Sequence, residues 1–176
     1  MLLYQLSVYL HILSAIIWIG GMFFLALVVV PVTRGLPPPQ RVELFGAVGR
    51  RFRTVGWVCI AVLLVTGTVN LAYRGVTWTN LFTAELWGSP FGTTLALKLA
   101  LVALMLGLAM YHDFVLGPRS LRLAAAGHAP QDAERLRKRA SMIRRTEAVL
   151  ALMVLALAIM LVRGLPFYRL SENVLH

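Results

Sequence analysis

The segment Leu2–Val30, LLYQLSVYLHILSAIIWIGGMFFLALVVV, is an uninterrupted apolar stretch that contains one histidine, His11, and no charged residue. As a helix it would extend about 43 Å, which exceeds the roughly 30 Å hydrocarbon core of a bilayer. The stretch therefore predicts a transmembrane helix with His11 inside the membrane. Because an ionisable group in hydrocarbon costs free energy unless it is neutral, paired or metal-bound, His11 is a candidate functional residue.

Three further apolar stretches are long enough to cross a bilayer as helices: Thr54–Tyr73, Phe91–Leu116 and Thr146–Val162. Of the 176 residues, 59% are hydrophobic, and the mean hydropathy is +0.78. These values are typical of an integral membrane protein rather than of a soluble domain. We predict an all-α fold, in which residues 1–176 form one transmembrane domain, an up-down-up-down four-helix bundle.

The connections between these stretches also predict structure. Pro31 is expected to end the first helix, because proline lacks a backbone N–H and clashes with the preceding turn. The loop between the second and third helices contains aromatic side chains that suit a membrane interface, namely Trp78, Phe82 and Trp87. We predict short interfacial segments at 41–49 and 75–90 and a cytoplasmic helical extension at 131–145.

The net charge of +10 is distributed unevenly along the chain. The first and third loops carry thirteen of the seventeen Lys and Arg residues, whereas the opposite side has only Arg74, Arg163 and Arg169. The positive-inside rule then places the basic loops in the cytoplasm and both termini outside the inner membrane. We attribute the charge to topology and to contact with anionic membrane lipid, not to nucleic acid.

This topology assigns a depth to each polar group in the membrane. His11 lies about 14 Å along the first helix and Lys98 about 10 Å along the third, both measured from the outer end. Thr66 and Asn70 fall in the same outer layer. His112 lies about 30 Å along the third helix, in an inner layer roughly 15–18 Å away from His11. One haem iron is therefore not expected to bind both histidines of one chain.

Helical periodicity groups further side chains with these residues. Spacings of three or four place the following on one face of the first helix: Ser7, His11, Ser14, Trp18 and Gly21–Met22. Lys98, Met105 and His112 recur at seven-residue intervals on the third helix and share a face. Four charged residues are expected near His112 in the inner layer: Arg51, Arg53, Arg145 and Glu147.

Each candidate also has a purely structural interpretation. His11 could serve only as a polar contact between helices, and Lys98 could extend its amine toward the outer headgroups. His112 could be an interfacial polar residue. Glu147 and Arg145 could form a salt bridge at the start of the fourth helix.

Three stretches together resemble a known family: LHILSAIIWIGGMFF at 10–24, RRFRTVGWVCIAVLLVTGTVNL at 50–71 and LALKLALVALMLGLAMYHDFVLGP at 95–118. They are similar to the CopD-like membrane proteins associated with copper resistance and to the four-helix haem proteins of the HemJ type. The resemblance implies a b-type haem, with His11 as an axial ligand and Lys98 as the second functional group in the membrane. Since Cys59 is the only cysteine, any haem would be bound non-covalently.

The first functional hypothesis is a haem b-binding membrane redox protein. It would transfer electrons to a quinone or a redox partner, or oxidise a small substrate such as a porphyrinogen, with Lys98 as the catalytic residue. The cofactor-binding candidates of this hypothesis are His11, Lys98, Trp18, Ser14 and Asn70, with a second, inner cofactor or metal site at His112 and Arg51.

Two alternatives belong to other classes of protein. One is copper handling or transport through His11, Met22 and Met105, although the chain lacks the paired cysteines and dense methionine motifs typical of Cu(I) sites. The other is a non-catalytic membrane scaffold. Small residues at Gly20-Gly21 and at Ala103–Gly107 are compatible with a homodimer.

Overall fold

The structure is a computed structural model that describes residues 1–77, 79–125 and 130–163. Every regular element in these ranges is a helix. Four helical segments are long and apolar enough to cross a membrane: Leu2–Gly35, Pro39–Tyr73, Pro90–Arg119 and Lys138–Val162. The predicted all-α fold with four membrane-spanning helices is confirmed.

The first span does not end at Pro31, so that prediction is wrong. Helix α1 (Leu2–Phe24) continues through a π-helical turn (Leu25–Val29) into the short helix α2 (Val30–Val32), which contains Pro31. The wider π turn, in which the Val30 N–H donates to the Leu25 carbonyl, accommodates the proline. The chain then leaves the helix through a 3₁₀ turn, Thr33–Gly35.

The second span lies in one long helix, α3 (Pro38–Tyr73). The predicted interfacial segment 41–49 is not a separate element, because it forms the first part of this helix. Nothing between Pro39 and Thr54 breaks the helical pattern, and about 54 Å of helix is longer than the membrane is thick. The basic N-terminal part of α3 therefore extends beyond the hydrocarbon.

A glycine turn ends α3. Gly75 has φ of 82°, a left-handed conformation that side chains disfavour. The N–H of Gly75 donates to the Ala72 carbonyl, and the N–H of Val76 donates to the Leu71 carbonyl. This pair of bonds is a Schellman motif, which satisfies two of the last carbonyls of the helix.

Short helices precede and follow the third span. The segment predicted at 75–90 contains a 3₁₀ turn (Asn80–Phe82) and helix α4 (Ala84–Gly88), while Trp78 lies outside the described residues. Ser89 caps helix α5 (Pro90–Tyr111) by accepting a bond from the Gly92 N–H. A second π turn (His112–Leu116) joins α5 to α6 (Gly117–Ala125).

The fourth span lies in helix α7 (Pro130–Arg163), which is continuous from the predicted extension at 131–145 into the apolar segment. Contacts along the chain group it into two compact units. Unit 1 comprises Met1–Val76 and Asp113–Ser141, and unit 2 comprises Thr77–His112 and Met142–His176.

Candidate functional site

In unit 1, α1 and α3 pack against each other in antiparallel register. From one end of the pair to the other, contacts join Tyr4 to Tyr73, His11 to Thr66, Trp18 to Gly56 and Gly21 to Phe52. The buried residues of α1 are Ser7, Ser14 and Trp18. The face predicted from the spacing is therefore the face that packs on α3.

A polar layer lies within this helix pair. His11 Nδ1 is 2.8 Å from Thr66 Oγ1, and the Ser7 hydroxyl donates to the Thr66 backbone carbonyl over 3.3 Å. The Cε1 atom of His11 lies 3.5 Å from where a Cβ atom on Gly67 would be. Thr66 and Gly67 therefore hold one side of the imidazole ring against α3.

The hydrogen bonds of Thr66 assign the tautomer of His11. A hydroxyl has one hydrogen to donate, and Thr66 Oγ1 lies 2.6 Å from the Val62 carbonyl oxygen, which only accepts. Thr66 therefore accepts its bond from the His11 Nδ1–H. When the imidazole is neutral, this arrangement puts the lone pair on Nε2, where a metal can bind. A hydrogen bond at the other ring nitrogen is the usual orienting contact of a metal-ligating histidine.

Asn70 lies one helical turn from Thr66 on α3. Its Oδ1 atom is buried and has no hydrogen-bond partner among the residues described. Most buried polar atoms in proteins are paired, so this oxygen is suited to a ligand or a bound water. Unit 1 therefore contains both polar residues of α3, Thr66 and Asn70, that the sequence places in the outer layer.

Other predicted site residues have different surroundings. Trp18 is 7% exposed and packs on Gly56, two turns away from His11, and Ser14 is buried on the same face. Met22 follows His11 by eleven residues, which is about 16 Å along one helix. His11 and Met22 are therefore too far apart along α1 to bind one copper ion together.

Lys98, Met105 and His112 lie in unit 2. Lys98 is half-buried on α5, and Met105 is 1% exposed, as expected for core packing. Arg144 Nη1 lies 3.4 Å from His112 Nε2. Because arginine only donates, this imidazole nitrogen is the acceptor, and a guanidinium occupies the side from which a metal would approach.

Glu147 is 6% exposed on α7. Its carboxylate acts electrostatically on Arg144, three residues earlier on the same helix face. The sequence suggests Arg145 as the partner, but residues two apart do not face each other on a helix. His112, Arg144 and Glu147 thus form the polar cluster of unit 2, whereas Arg51 lies in unit 1.

A second cluster in unit 1 contains Arg53, which the sequence places in the inner layer but without specific partners. Arg53 Nη1 donates to the Asp113 carbonyl over 2.9 Å, and its Cζ atom lies 6.0 Å from the centre of the Phe114 ring. The Trp57 and Phe114 rings are 5.8 Å apart. The Asp113 carbonyl lies in the π turn, five residues before Pro118, which has no N–H to donate to it. Arg53 donates to this carbonyl from 60 residues away in the chain.

The described residues do not include a dense metal cluster. In ranges 1–77, 79–125 and 130–163, no three His, Cys, Asp or Glu side chains come together in a way that could hold a metal ion. Among the described residues of unit 1, His11 is the one imidazole available to such a site.

The family model for copper resistance protein D matches residues 46–161. The chain belongs to the copper resistance protein D family. The matched region includes Thr66, Asn70, Lys98 and His112 but begins after His11. Membership identifies a multi-pass membrane protein related to copper, consistent with the resemblance seen in the sequence.

An uncharacterized protein of Aquifex aeolicus (strain VF5) is similar to this chain. It is 31% identical over 118 residues, which cover 66% of this chain and 73% of the relative. No solved structure matches the chain significantly.

Proposed function

We propose that this protein moves copper within the membrane and that His11 is a ligand for the ion during its passage. The observation that carries the proposal is the bond from His11 Nδ1 to Thr66 Oγ1, 2.8 Å long, which leaves the ring lone pair on Nε2. Copper is the cargo that family membership favours. The ion is treated as a substrate, not as a permanent cofactor.

The donors in the polar layer suit Cu(II) better than Cu(I). An imidazole nitrogen and the amide oxygen of Asn70 are harder ligands than the thiolates and thioethers that select Cu(I). A site with few protein ligands also suits transport, because an ion in transit must be bound tightly enough to enter and weakly enough to leave. Lys98 is proposed as a second functional group for this passage.

A b-type haem is the second candidate, since an axial histidine needs the same fixed tautomer and ring orientation. The side of His11 that faces α3 is filled by Thr66 and Gly67, so a porphyrin would bind on the opposite side of the ring.

The orientation that we propose for the protein in the membrane keeps the basic loops in the cytoplasm. A quinone, a redox partner and a homodimer remain predictions from the sequence.

Copper uptake into proteoliposomes tests the proposal. Vesicles containing the wild-type protein should take up copper, and His11→Ala should lose most of this uptake while remaining in the membrane. His112→Ala, in unit 2, is the matched histidine control and should retain it. Equal uptake by wild type and His11→Ala would contradict the role of His11. A Soret band in the purified protein without bound copper would favour haem instead.

A further inference from the structure

One exposed face of the basic part of α3 borders an open surface cavity of about 540 Å³. Its lining residues recur at helical spacing along one face of α3: Ala47, Arg50, Arg51, Thr54 and Val55. Among these described lining residues none is acidic. The described lining therefore presents two guanidinium groups and no carboxylate.

The position of the cavity along α3 is as informative as its charge. Thr54 and Val55 are the first residues of the apolar run that reaches Tyr73, while Arg50 and Arg51 precede it. The lining therefore changes from cationic to apolar within one helical turn. A ligand that matches this lining has an anionic group beside the arginines and a hydrocarbon part beside the apolar residues.

The two arginines are the side chains that can recognise such a head. Thr54 Oγ1 already donates to the Arg50 carbonyl over 3.2 Å, so its hydrogen is used within α3. Arg50 and Arg51 are both exposed, unlike Arg53, which is engaged by Asp113 and Phe114. Guanidinium groups bind phosphate oxygens through paired hydrogen bonds, with geometry that lysine does not reproduce.

We propose that this cavity binds the phosphate headgroup of an anionic phospholipid. A free phosphate ion would offer Arg50 and Arg51 the same anionic oxygens as a lipid headgroup. The lipid is the source to which we commit, because Val55 and Ala47 provide apolar wall beside the charge and because the site lies where α3 enters the apolar span. Each basic residue next to a membrane helix adds to the electrostatic attraction between the protein and anionic lipid.

Thermal unfolding of the purified full chain in detergent tests this proposal. Dioleoylphosphatidylglycerol should raise the unfolding midpoint, whereas dioleoylphosphatidylcholine and inorganic phosphate should not. The double variant Arg50→Gln/Arg51→Gln should require a phosphatidylglycerol concentration roughly 10- to 30-fold higher than the wild type for the same rise in the unfolding midpoint. The matched control, Arg34→Gln/Arg41→Gln, removes the same charge from nearby residues outside the cavity and should behave like wild type.

Three outcomes would overturn the proposal. Equal stabilisation by the two lipids would mean that the cavity does not recognise the anionic headgroup, and an equal loss in both double variants would mean that only the general field of the basic segment matters. Stabilisation by inorganic phosphate alone would assign the cavity to free phosphate. If the cavity variant does not fold, native mass spectrometry of the wild type decides, since phosphatidylglycerol adducts should survive competition by phosphatidylcholine.

Discussion

His11 on α1 and Thr66 on α3 share a hydrogen bond of 2.8 Å across the helix pair of unit 1. The bond joins residues 55 positions apart in the chain, so it fixes both the register of the two helices and the tautomer of the imidazole. The copper binding that we propose for His11 depends on this relationship.

Thr66→Val tests whether the bond orients His11 for copper. Valine keeps the volume of threonine but removes the oxygen that accepts from Nδ1–H, so we expect copper affinity to fall roughly 10- to 100-fold. Isothermal titration with Cu(II) measures this change. Thr68→Val is the matched control, because the Thr68 hydroxyl is exposed and bonds to the Val65 carbonyl of its own helix. Equal weakening in both variants would argue against orientation by Thr66.

Arg53→Ala should destabilise the junction between α5 and α6. It removes the donor of the Asp113 carbonyl beside the π turn and the contact with Phe114, which we expect to cost about 1–3 kcal/mol of unfolding free energy. Arg41→Ala, on the same helix, should change stability little, and Arg53→Lys should recover part of the loss. Unfolding titrations in mixed detergent measure all three. A loss in Arg41→Ala as large as that in Arg53→Ala would contradict the assigned role.

Gly92→Ala should also be destabilising. A Cβ atom at this position would collide with the Leu86 carbonyl oxygen at the start of α5, a backbone contact that a rotamer change cannot relieve. We expect a cost of about 1–3 kcal/mol. Gly107→Ala on the same helix is the control, since nothing lies within 4 Å of its Cβ position. At position 107, alanine should leave the stability unchanged or raise it, because alanine has a higher helix propensity than glycine. The same unfolding titration compares the two variants.

The proposed orientation is tested by reporter fusions. A reporter inserted near Gly127 should be active in the cytoplasm, and one fused after His176 should be active outside it, because the basic loops are retained on the cytoplasmic side. Both positions lie outside the described residues. A cytoplasmic reporter at His176 would reverse the assignment of outer and inner layers.

The spans and the packed face of α1 were predictable because they depend on local pattern. Apolar length determines which segments can cross a bilayer, and three- to four-residue spacing is enough to identify Ser7, Ser14 and Trp18 as members of one packed face. Helical rise alone places Thr66 and Asn70 at the depth of His11.

Features that depend on distant partners were not predictable in this way. Pro31 was expected to end a helix, yet a π turn precedes it by two residues, and Pro118 follows the second π turn by the same interval. At Pro118, the neighbouring carbonyl is satisfied by Arg53, 60 residues away from its acceptor Asp113. Local propensity carries no information about such a donor. The pairing of His112 with Arg144 likewise depends on contacts between α7 and the end of α5.

Pulsed electron paramagnetic resonance of the Cu(II)-loaded protein tests the central claim most directly, because it detects the nitrogen of a coordinated imidazole. We predict an imidazole signal in the wild type that is lost in His11→Ala and retained in His112→Ala. An imidazole signal of full intensity in His11→Ala would contradict the role of His11 and would place the copper ligand elsewhere in the chain.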